Sequence, residues 1–153
     1  MLFVRHAESV SGVEGTFGGP HGCRGLTAPG REQAEKLGQR LAAELRDTPP
    51  VSVYSSTLRR AIETAAVIAA ALGVAPAQDC GLCTWHVPDA AAGQPKQLFQ
   101  AEHALPGGGI YRPFEAGNEP GAELVSRGSR AILDALPVFR SSRRPRLGDR
   151  VGH

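Results

Sequence analysis

The sequence has few aromatic residues, few cysteines and no long hydrophobic run. Aromatic residues make up 5% of the 153 residues, and the three cysteines give no disulfide framework. The longest apolar run, residues 65–72, is much shorter than the roughly 20 residues of a membrane-spanning helix. Too few apolar residues precede Arg5 for a signal peptide. We therefore exclude a disulfide scaffold and a membrane partner, and expect one cytoplasmic domain with a real hydrophobic core.

The end of the chain differs in charge from the rest. Residues 137–153 hold five of the 17 basic residues and one of the 15 acidic residues, so residues 1–136 carry a formal charge of −2 although the whole chain carries +2. The tail also lacks the near-continuous apolar run of a central parallel strand. We predict a domain over residues 1–136 and a basic, poorly ordered tail over residues 137–153. No nucleic-acid partner is expected, because no aromatic residues interleave with the arginines and no nucleic-acid motif is present.

Strand and helix patterns alternate along residues 1–136. Apolar strand-like stretches at residues 2–4 and 51–54 are each followed by residues with helical spacing. Gly73 stands where a helix commonly ends. The predicted helix caps are Thr27 for the first long helix, Ser56 or Thr57 for the second, and Asn118 for the third. This rhythm predicts an α/β fold with a largely parallel sheet.

Two arginine-bearing segments follow the two predicted strands. Arg5 and His6 come directly after residues 2–4, and Arg59 and Arg60 come shortly after residues 51–54. Ligands of open α/β sheets bind beyond the carboxyl ends of the strands, so both segments are expected at one site. An imidazole can act as a nucleophile, and a guanidinium presents forked donors that match a phosphate. The simpler alternative is an ordinary histidine with surface arginines.

The motifs, taken together in order, resemble those of the histidine phosphatases, the phosphoglycerate mutase-like superfamily. Arg5-His6-Ala7 resembles the Arg-His-Gly signature of that family, and Gly25–Ala34 and Ser55–Ala65 resemble its next two motifs. Gly117-Asn118-Glu119, followed by Arg127, is similar to a later one. The resemblance implies a three-layer α/β/α sandwich with a largely parallel central sheet. Given the composition of the tail, we expect the C-terminal strand of that sheet to be missing.

The resemblance also implies a reaction. The family hydrolyses phosphomonoesters without a metal or cofactor, through a phosphohistidine, and the matching nucleophile is His6. Arg5 and Arg60 match the residues that clamp the phosphoryl group, and Ser9 is expected to contact the small phosphorylated substrate. We expect a hydrolase rather than a mutase, since mutases of the family usually carry larger insertions. The identity of the substrate and the oligomeric state stay open.

Two departures from the family pattern support an alternative function. Thr84 stands near the position of the general acid, usually a Glu, and a hydroxyl protonates a leaving oxygen poorly at neutral pH; Asp89 or His86 are the substitutes at hand. The second histidine of the pocket has only His153 as a match, without the strand that should precede it. The alternative is therefore a catalytically impaired phosphate-binding relic of the same fold.

A rival site is suggested by Cys80, Cys83 and His86, which follow one another at intervals of three residues. This spacing is typical of a zinc corner and also of one face of a helical turn. Structural zinc sites need four ligands, and a second pair is absent nearby. From the sequence we therefore expect no metal.

Overall fold

A computed structural model describes residues 1–50 and 52–136, and they form an α/β fold with a parallel sheet. Strand β1 (Val53–Ser55) pairs in parallel with β2 (Pro76–Gln78), with Tyr54 opposite Ala77. The α-helices are α1 (Val10–Val13), α2 (Gly19–Gly22), α3 (Ala28–Glu44), α4 (Arg59–Leu72), α5 (Lys96–His103) and α6 (Gly121–Ala135). Two 3-10 turns lie at Cys80–Leu82 and Asp89–Ala91. The predicted fold class is confirmed, with two strands in the sheet of the described residues.

The ends of the two long helices follow from local chemistry. Thr27 is the N-cap of α3, as predicted, and its hydroxyl oxygen accepts from the Gly30 N–H at 3.0 Å. Gly73 ends α4 in the left-handed conformation, with φ of 69°, as the sequence also predicts. The predicted cap of α4 is wrong, because its N-cap is Leu58, whose side chain makes no capping bond.

Helices α3 and α4 pack against each other and hold much of the core. Their buried residues include Ala34 and Leu41 of α3 and Ala65, Ile68 and Ala69 of α4. Small residues allow the close approach: a Cβ added at Gly38 would lie 3.1 Å from the Ala71 Cβ. This pair forms the scaffold beside which the first candidate site is built.

The first predicted strand is wrong. Residues 2–4 form no strand within the described part of the chain, and Leu2, Phe3 and Val4 are exposed. They border an open apolar groove with Leu37 and Leu41 of α3 and with Leu45, the C-cap of that helix, and we call it the N-terminal groove. A strand needs a neighbouring backbone to pair with, and the apolar pattern of residues 2–4 contains no information about that neighbour.

Residues 79–120 contain little regular structure besides α5 and the two 3-10 turns. Helix α6 packs on the Cys80–Leu82 turn, and its N-cap is Pro120 rather than the predicted Asn118, whose amide donates to Glu115 instead.

The predictions for the tail, including the missing strand and His153, fall outside the described residues. Among the described residues, no helix has both the length and the apolar character to cross a membrane.

Candidate active site

His6 is held in a single tautomer by two neighbours. Its Nδ1 lies 2.8 Å from the Ala7 carbonyl oxygen, and its Nε2 lies 3.0 Å from the Nε of Arg60. A carbonyl oxygen only accepts and a guanidinium only donates, so Nδ1 carries the hydrogen and Nε2 presents its lone pair. The lone pair of the ring is therefore on Nε2, where it accepts from Arg60.

The surroundings of His6 also keep the ring neutral. Partial burial lowers the pKa of His6 below its ordinary value of about 6.5, and the cationic Arg60 and Arg5 lower it further, against an opposing contribution from the Ala7 carbonyl. At pH 7 the imidazole is accordingly unprotonated and nucleophilic.

Arg60 is positioned by backbone and sulfur contacts at the start of α4. Its backbone N–H donates to the Cys23 Sγ at 3.3 Å, and its Nη1 donates to the same sulfur at 3.5 Å. A Cβ at Gly18 would lie 2.6 Å from that Nη1, so the guanidinium rests against a glycine that leaves it room. Cys23 is a positioning residue that the sequence analysis missed, because no local pattern connects it to Arg60.

Thr64 connects the His6 segment to α4. Its hydroxyl donates to the Arg60 carbonyl oxygen at 2.7 Å and accepts from the Ala7 N–H at 3.1 Å. The side chain is buried, one turn after Arg60. The hydroxyl thus fixes the backbone that follows His6 relative to the helix that carries Arg60.

Arg5 and Ser9, the other two predicted site residues near the start of the chain, do not share the hydrogen bond that joins His6 and Arg60. Arg5 is exposed and makes no hydrogen bond or ion pair with any described residue, although its charge acts on His6. Ser9 is buried, caps α1 and accepts from the Gly12 N–H at 3.3 Å. Its hydroxyl is therefore engaged in shaping the loop after His6.

Arg59 binds the Glu63 carboxylate rather than His6. Its Nε donates to Glu63 at 2.8 Å, and Glu63 also accepts from the Leu26 N–H at 2.8 Å. Burial acts to raise the pKa of Glu63, but the Leu26 N–H, Arg59 and Arg31 outweigh it and hold that pKa below the ordinary value. Glu63 therefore stays ionised and ties the α3 entry segment to α4.

Thr84 and Asp89, which were considered for proton donation, contact residues other than His6. Thr84 is exposed, and its carbonyl oxygen accepts from Arg127. Asp89 is exposed and lies 3.6 Å from the Nε2 of His21. Neither has a hydrogen bond to His6 or Arg60 in the described part of the chain, and His86 belongs to a different cluster.

That cluster joins Cys80, Cys83 and His86, whose ligand-type atoms all lie within 4.8 Å of one another. The Sγ atoms of the two cysteines are 3.7 Å apart, and the Cys80 Sγ is 3.5 Å from the His86 Nε2. Cys83 is buried beside Leu58 and Cys23, and its Sγ lies 3.3 Å from the Thr57 hydroxyl. The cluster thus borders the segment that leads into Arg60.

Arg127 holds the backbone of this cluster in place. Its Nη1 donates to the carbonyls of Gly81 at 3.0 Å and Cys83 at 2.7 Å, and its Nη2 donates to that of Thr84 at 2.7 Å. The same guanidinium makes a two-pronged pair with Glu119, with its Nε 3.0 Å from the carboxylate. Hydrogen bonding from Arg127 lowers the pKa of Glu119 in spite of its burial. Both residues belong to the later sequence motif, but no pattern in the sequence indicates that they pair.

The sequence model of the histidine phosphatase superfamily (branch 1) matches residues 1–140. The chain belongs to the histidine phosphatase superfamily. The resemblance noted from Arg5-His6-Ala7 and from Ser55–Ala65 is thereby confirmed at the level of the family. A search of the curated proteins gives no match.

Solved structures of this fold are similar over most of the chain. A mycobacterial glucosyl-3-phosphoglycerate phosphatase with VO3 has 23% identity and a TM-score of 0.69, covering 90% of this chain and 63% of its own. YhfR of Bacillus stearothermophilus has 24% identity and a TM-score of 0.68, covering 91% and 66%. A phosphoserine phosphatase of Entamoeba histolytica with 3-phosphoglyceric acid has 21% identity and a TM-score of 0.62, covering 86% and 64%. The chain therefore spans less than two thirds of the mycobacterial and Entamoeba proteins.

As a histidine phosphatase superfamily member, the chain brings together two of its predicted site residues, His6 and Arg60, in direct hydrogen bonding. Arg5 is adjacent in sequence and acts through its charge, and Ser9 acts on the loop. Asp89 faces His21 instead, and His153 is outside the described residues.

Proposed function

We propose that the protein hydrolyses small phosphomonoesters, with His6 as the nucleophile and without a metal at the reacting atoms. The observation that carries this proposal is the contact between Arg60 and His6, which together with the Ala7 carbonyl selects the tautomer with a lone pair on Nε2. Family membership and the similarity to two structures that are named phosphatases support the same reaction class.

The chemistry begins at the His6 Nε2, which attacks phosphorus as the bond from phosphorus to the ester oxygen breaks. The products are a phosphohistidine and an alkoxide, which takes a proton from solvent water. Water then attacks the phosphohistidine, releasing inorganic phosphate and restoring neutral His6. Because His6 is joined to phosphorus through the nitrogen that now accepts from Arg60, the Nε of Arg60 must exchange that bond for a phosphoryl oxygen.

The two arginines supply positive charge for this exchange. A guanidinium binds phosphoryl oxygens through paired N–H donors and favours the charge that develops on them in the transition state. Arg60 is held by Cys23 and Gly18, whereas Arg5 is exposed and free to turn toward a bound anion. We propose that Arg60 fixes the position of the phosphoryl group and that Arg5 completes the clamp. Ser9 serves the site indirectly, by capping α1.

The relic without turnover is the second candidate. It is favoured by Thr84, a residue without a carboxyl group that stands near the position of the family's acid and whose carbonyl oxygen accepts from Arg127. Such a protein would still bind an oxyanion through Arg60, and would transfer its phosphoryl group slowly or not at all.

The test is to expose the full chain to a small phosphoryl donor such as acetyl phosphate and to locate the label by mass spectrometry at alkaline pH, since phosphohistidine is acid-labile. We expect the label on His6, its loss in His6→Ala, and its retention in the matched control His21→Ala, whose histidine is exposed. Release of phosphate after labelling supports the hydrolase. Binding of vanadate without any label identifies the relic, and a label on a serine or cysteine contradicts both.

A further inference from the structure

The Cys80, Cys83 and His86 cluster has the dimensions of a metal site. In a tetrahedral zinc site, Zn–S bonds of about 2.3 Å and Zn–N bonds of about 2.0 Å give sulfur–sulfur edges of about 3.8 Å and sulfur–nitrogen edges of about 3.5 Å. The corresponding distances here are 3.7 Å between the two Sγ atoms and 3.5 Å between the Cys80 Sγ and the His86 Nε2. Two edges of the tetrahedron are therefore already formed, and all three atoms lie within 4.8 Å of one another.

The backbone that carries the two sulfurs is organised independently of any ion. Asp79 caps the Cys80–Leu82 turn by accepting from the Gly81 N–H at 2.7 Å, and Arg127 binds the carbonyls of Gly81 and Cys83. A Cβ at Gly81 would lie 2.6 Å from the Ala131 Cβ, so the turn fits against α6 only because this residue is glycine. A turn fixed in this way holds its ligands near their binding positions before a metal arrives.

The environment of His86 suits a ligand that binds through Nε2. Its Nδ1 faces the Glu119 carboxylate at 3.9 Å, and its backbone N–H donates to the same carboxylate at 2.8 Å. A carboxylate on that side favours the proton on Nδ1 and leaves the Nε2 lone pair toward Cys80. Ligating histidines commonly have such a partner on the other nitrogen, because it orients the ring and raises its basicity.

We propose that Cys80, Cys83 and His86 form a site for a borderline-soft divalent cation of the Zn²⁺ type, with a fourth position open to solvent. Two thiolates and a neutral imidazole are a ligand set that Zn²⁺ favours. Binding releases the two thiol protons to solvent, and the resulting complex of Zn²⁺ with two thiolates has no net charge. Cys80 and His86 are exposed, so the ion has a route in.

The geometry revises the expectation, made from the spacing and number of ligands, that no metal binds here. Four ligands close a structural zinc site, but three protein ligands and an exchangeable one make the open type. The three ligands are distinct from His6 and Arg60, so metal binding is tested independently of the proposed function.

The test uses Co²⁺ as a spectroscopic probe of the full-length chain, stripped of metal and kept reduced under anaerobic conditions. We expect one Co²⁺ per chain, with a thiolate-to-cobalt charge-transfer band and the strong visible bands of tetrahedral coordination. Zn²⁺ should displace the cobalt stoichiometrically and raise the Tm. Cys80 is exposed, and Cys80→Ser should remove most of the charge-transfer band. It should also weaken Co²⁺ binding at least about a hundredfold, because losing a ligand should cost no less than the largest loss seen when a residue that only supports a ligand is removed.

Two matched controls identify the ligands. Cys23→Ser removes the third thiol and should leave the cobalt spectrum unchanged, whereas His86→Ala should weaken binding and His21→Ala should not. A wild-type chain that shows no charge-transfer band at equimolar Co²⁺ overturns the proposal. So does a band that survives Cys80→Ser, or one that Cys23→Ser abolishes.

Discussion

The two histidine-bearing sites of this chain are held in place by different means. His6 and Arg60 sit beside the packed pair α3 and α4, and Thr64, one turn into α4, bonds to the segments of both. The cluster of Cys80, Cys83 and His86 lies in irregular backbone, and a single side chain, Arg127, binds its carbonyls. The His6 site is positioned by many apolar contacts between regular helices, whereas the backbone of the Cys80, Cys83 and His86 cluster is positioned by a few charge-assisted hydrogen bonds.

This contrast predicts different responses to substitution. A substitution near His6 and Arg60 should be partly compensated by the packing of α3 against α4, unless the new side chain would overlap an atom already in contact. A change at Arg127 should loosen the whole segment of residues 80–84, since besides Arg127 it is held by the hydrogen bonds of the short Cys80–Leu82 turn and by the Asp79 cap.

The largest effect is expected for Arg127→Ala. The change leaves the buried Glu119 without its cationic partner and frees the carbonyls of Gly81 and Cys83. Breaking one side of a largely buried ion pair costs about 3–5 kcal/mol, so we expect a loss of that size in the free energy of unfolding in urea. Hydrogen exchange should speed up first at residues 80–86. Arg130→Ala, on the exposed face of α6, is the control, and an equal loss for both variants would contradict the clamp.

Arg60→Ala should be the most damaging change for anion binding. Removing an oxyanion donor typically costs about a hundredfold to a thousandfold, and we expect vanadate affinity to fall by at least the lower figure in titration calorimetry. Arg59→Ala should cost about fivefold at most, because Arg59 is engaged with Glu63 as an exposed ion pair. Comparable losses for the two variants would mean that the anion does not bind at the His6 side of α4.

The paired changes Gly30→Ala and Gly128→Ala should have opposite signs. A Cβ at Gly30 would lie 2.1 Å from the Glu8 carbonyl oxygen, which is backbone, so we expect a destabilisation of about 1–3 kcal/mol. A Cβ at Gly128 would lie 3.8 Å from the Gly81 carbonyl oxygen, an ordinary contact, and replacing a helical glycine by alanine should stabilise by up to about 1 kcal/mol. If the denaturant midpoints of the two variants moved in the same direction, then Gly30 would not be more tightly packed than Gly128.

The smallest effect concerns the titration of His6. Its pKa is lowered by burial and by Arg60 and Arg5, so the midpoint of its ring resonances in NMR should lie below about 6.5. The rate of phosphorylation should fall as the pH drops through that midpoint, because the protonated ring has no lone pair on Nε2. Arg60→Gln removes one cation and should raise the midpoint, although burial keeps part of the depression. A midpoint that does not move would show that Arg60 has no electrostatic influence on the ring.

The sequence predicted what depends on local chemistry and on ordered motifs. The Thr27 cap and the Gly73 terminus each depend on residues within a turn or two of one another. The motif register that favours Arg60 over Arg59 as the pocket arginine is equally local, and that role stays a prediction. The contact of Cys23 with Arg60 and the pairing of Arg127 with Glu119 depend on chain segments that meet only in the folded state. No periodicity in the sequence encodes such meetings.

The same distinction explains the strand that was wrongly predicted and the cysteine pattern that stayed open. Residues 2–4 have the composition of a strand, but a strand exists only through hydrogen bonds to a neighbour. Spacing at intervals of three residues left the Cys80, Cys83 and His86 pattern open between a helical face and a metal corner. The turn at Cys80–Leu82, shaped by Asp79 and Arg127, brings the three ligand atoms together where a count of ligands alone argued against a metal.

The N-terminal groove also bears on how strongly molecules of this protein associate with one another in solution. Leu2 and Phe3 are 62% and 71% exposed and adjoin the leucines of α3 that line the groove. A contiguous apolar patch of this kind makes molecules adhere to one another as concentration or salting-out strength rises. A hydrophobic dye should therefore bind the native chain without denaturant, and the apparent Tm should depend on protein concentration, so that stabilities of variants are comparable only when they are measured at one dilution.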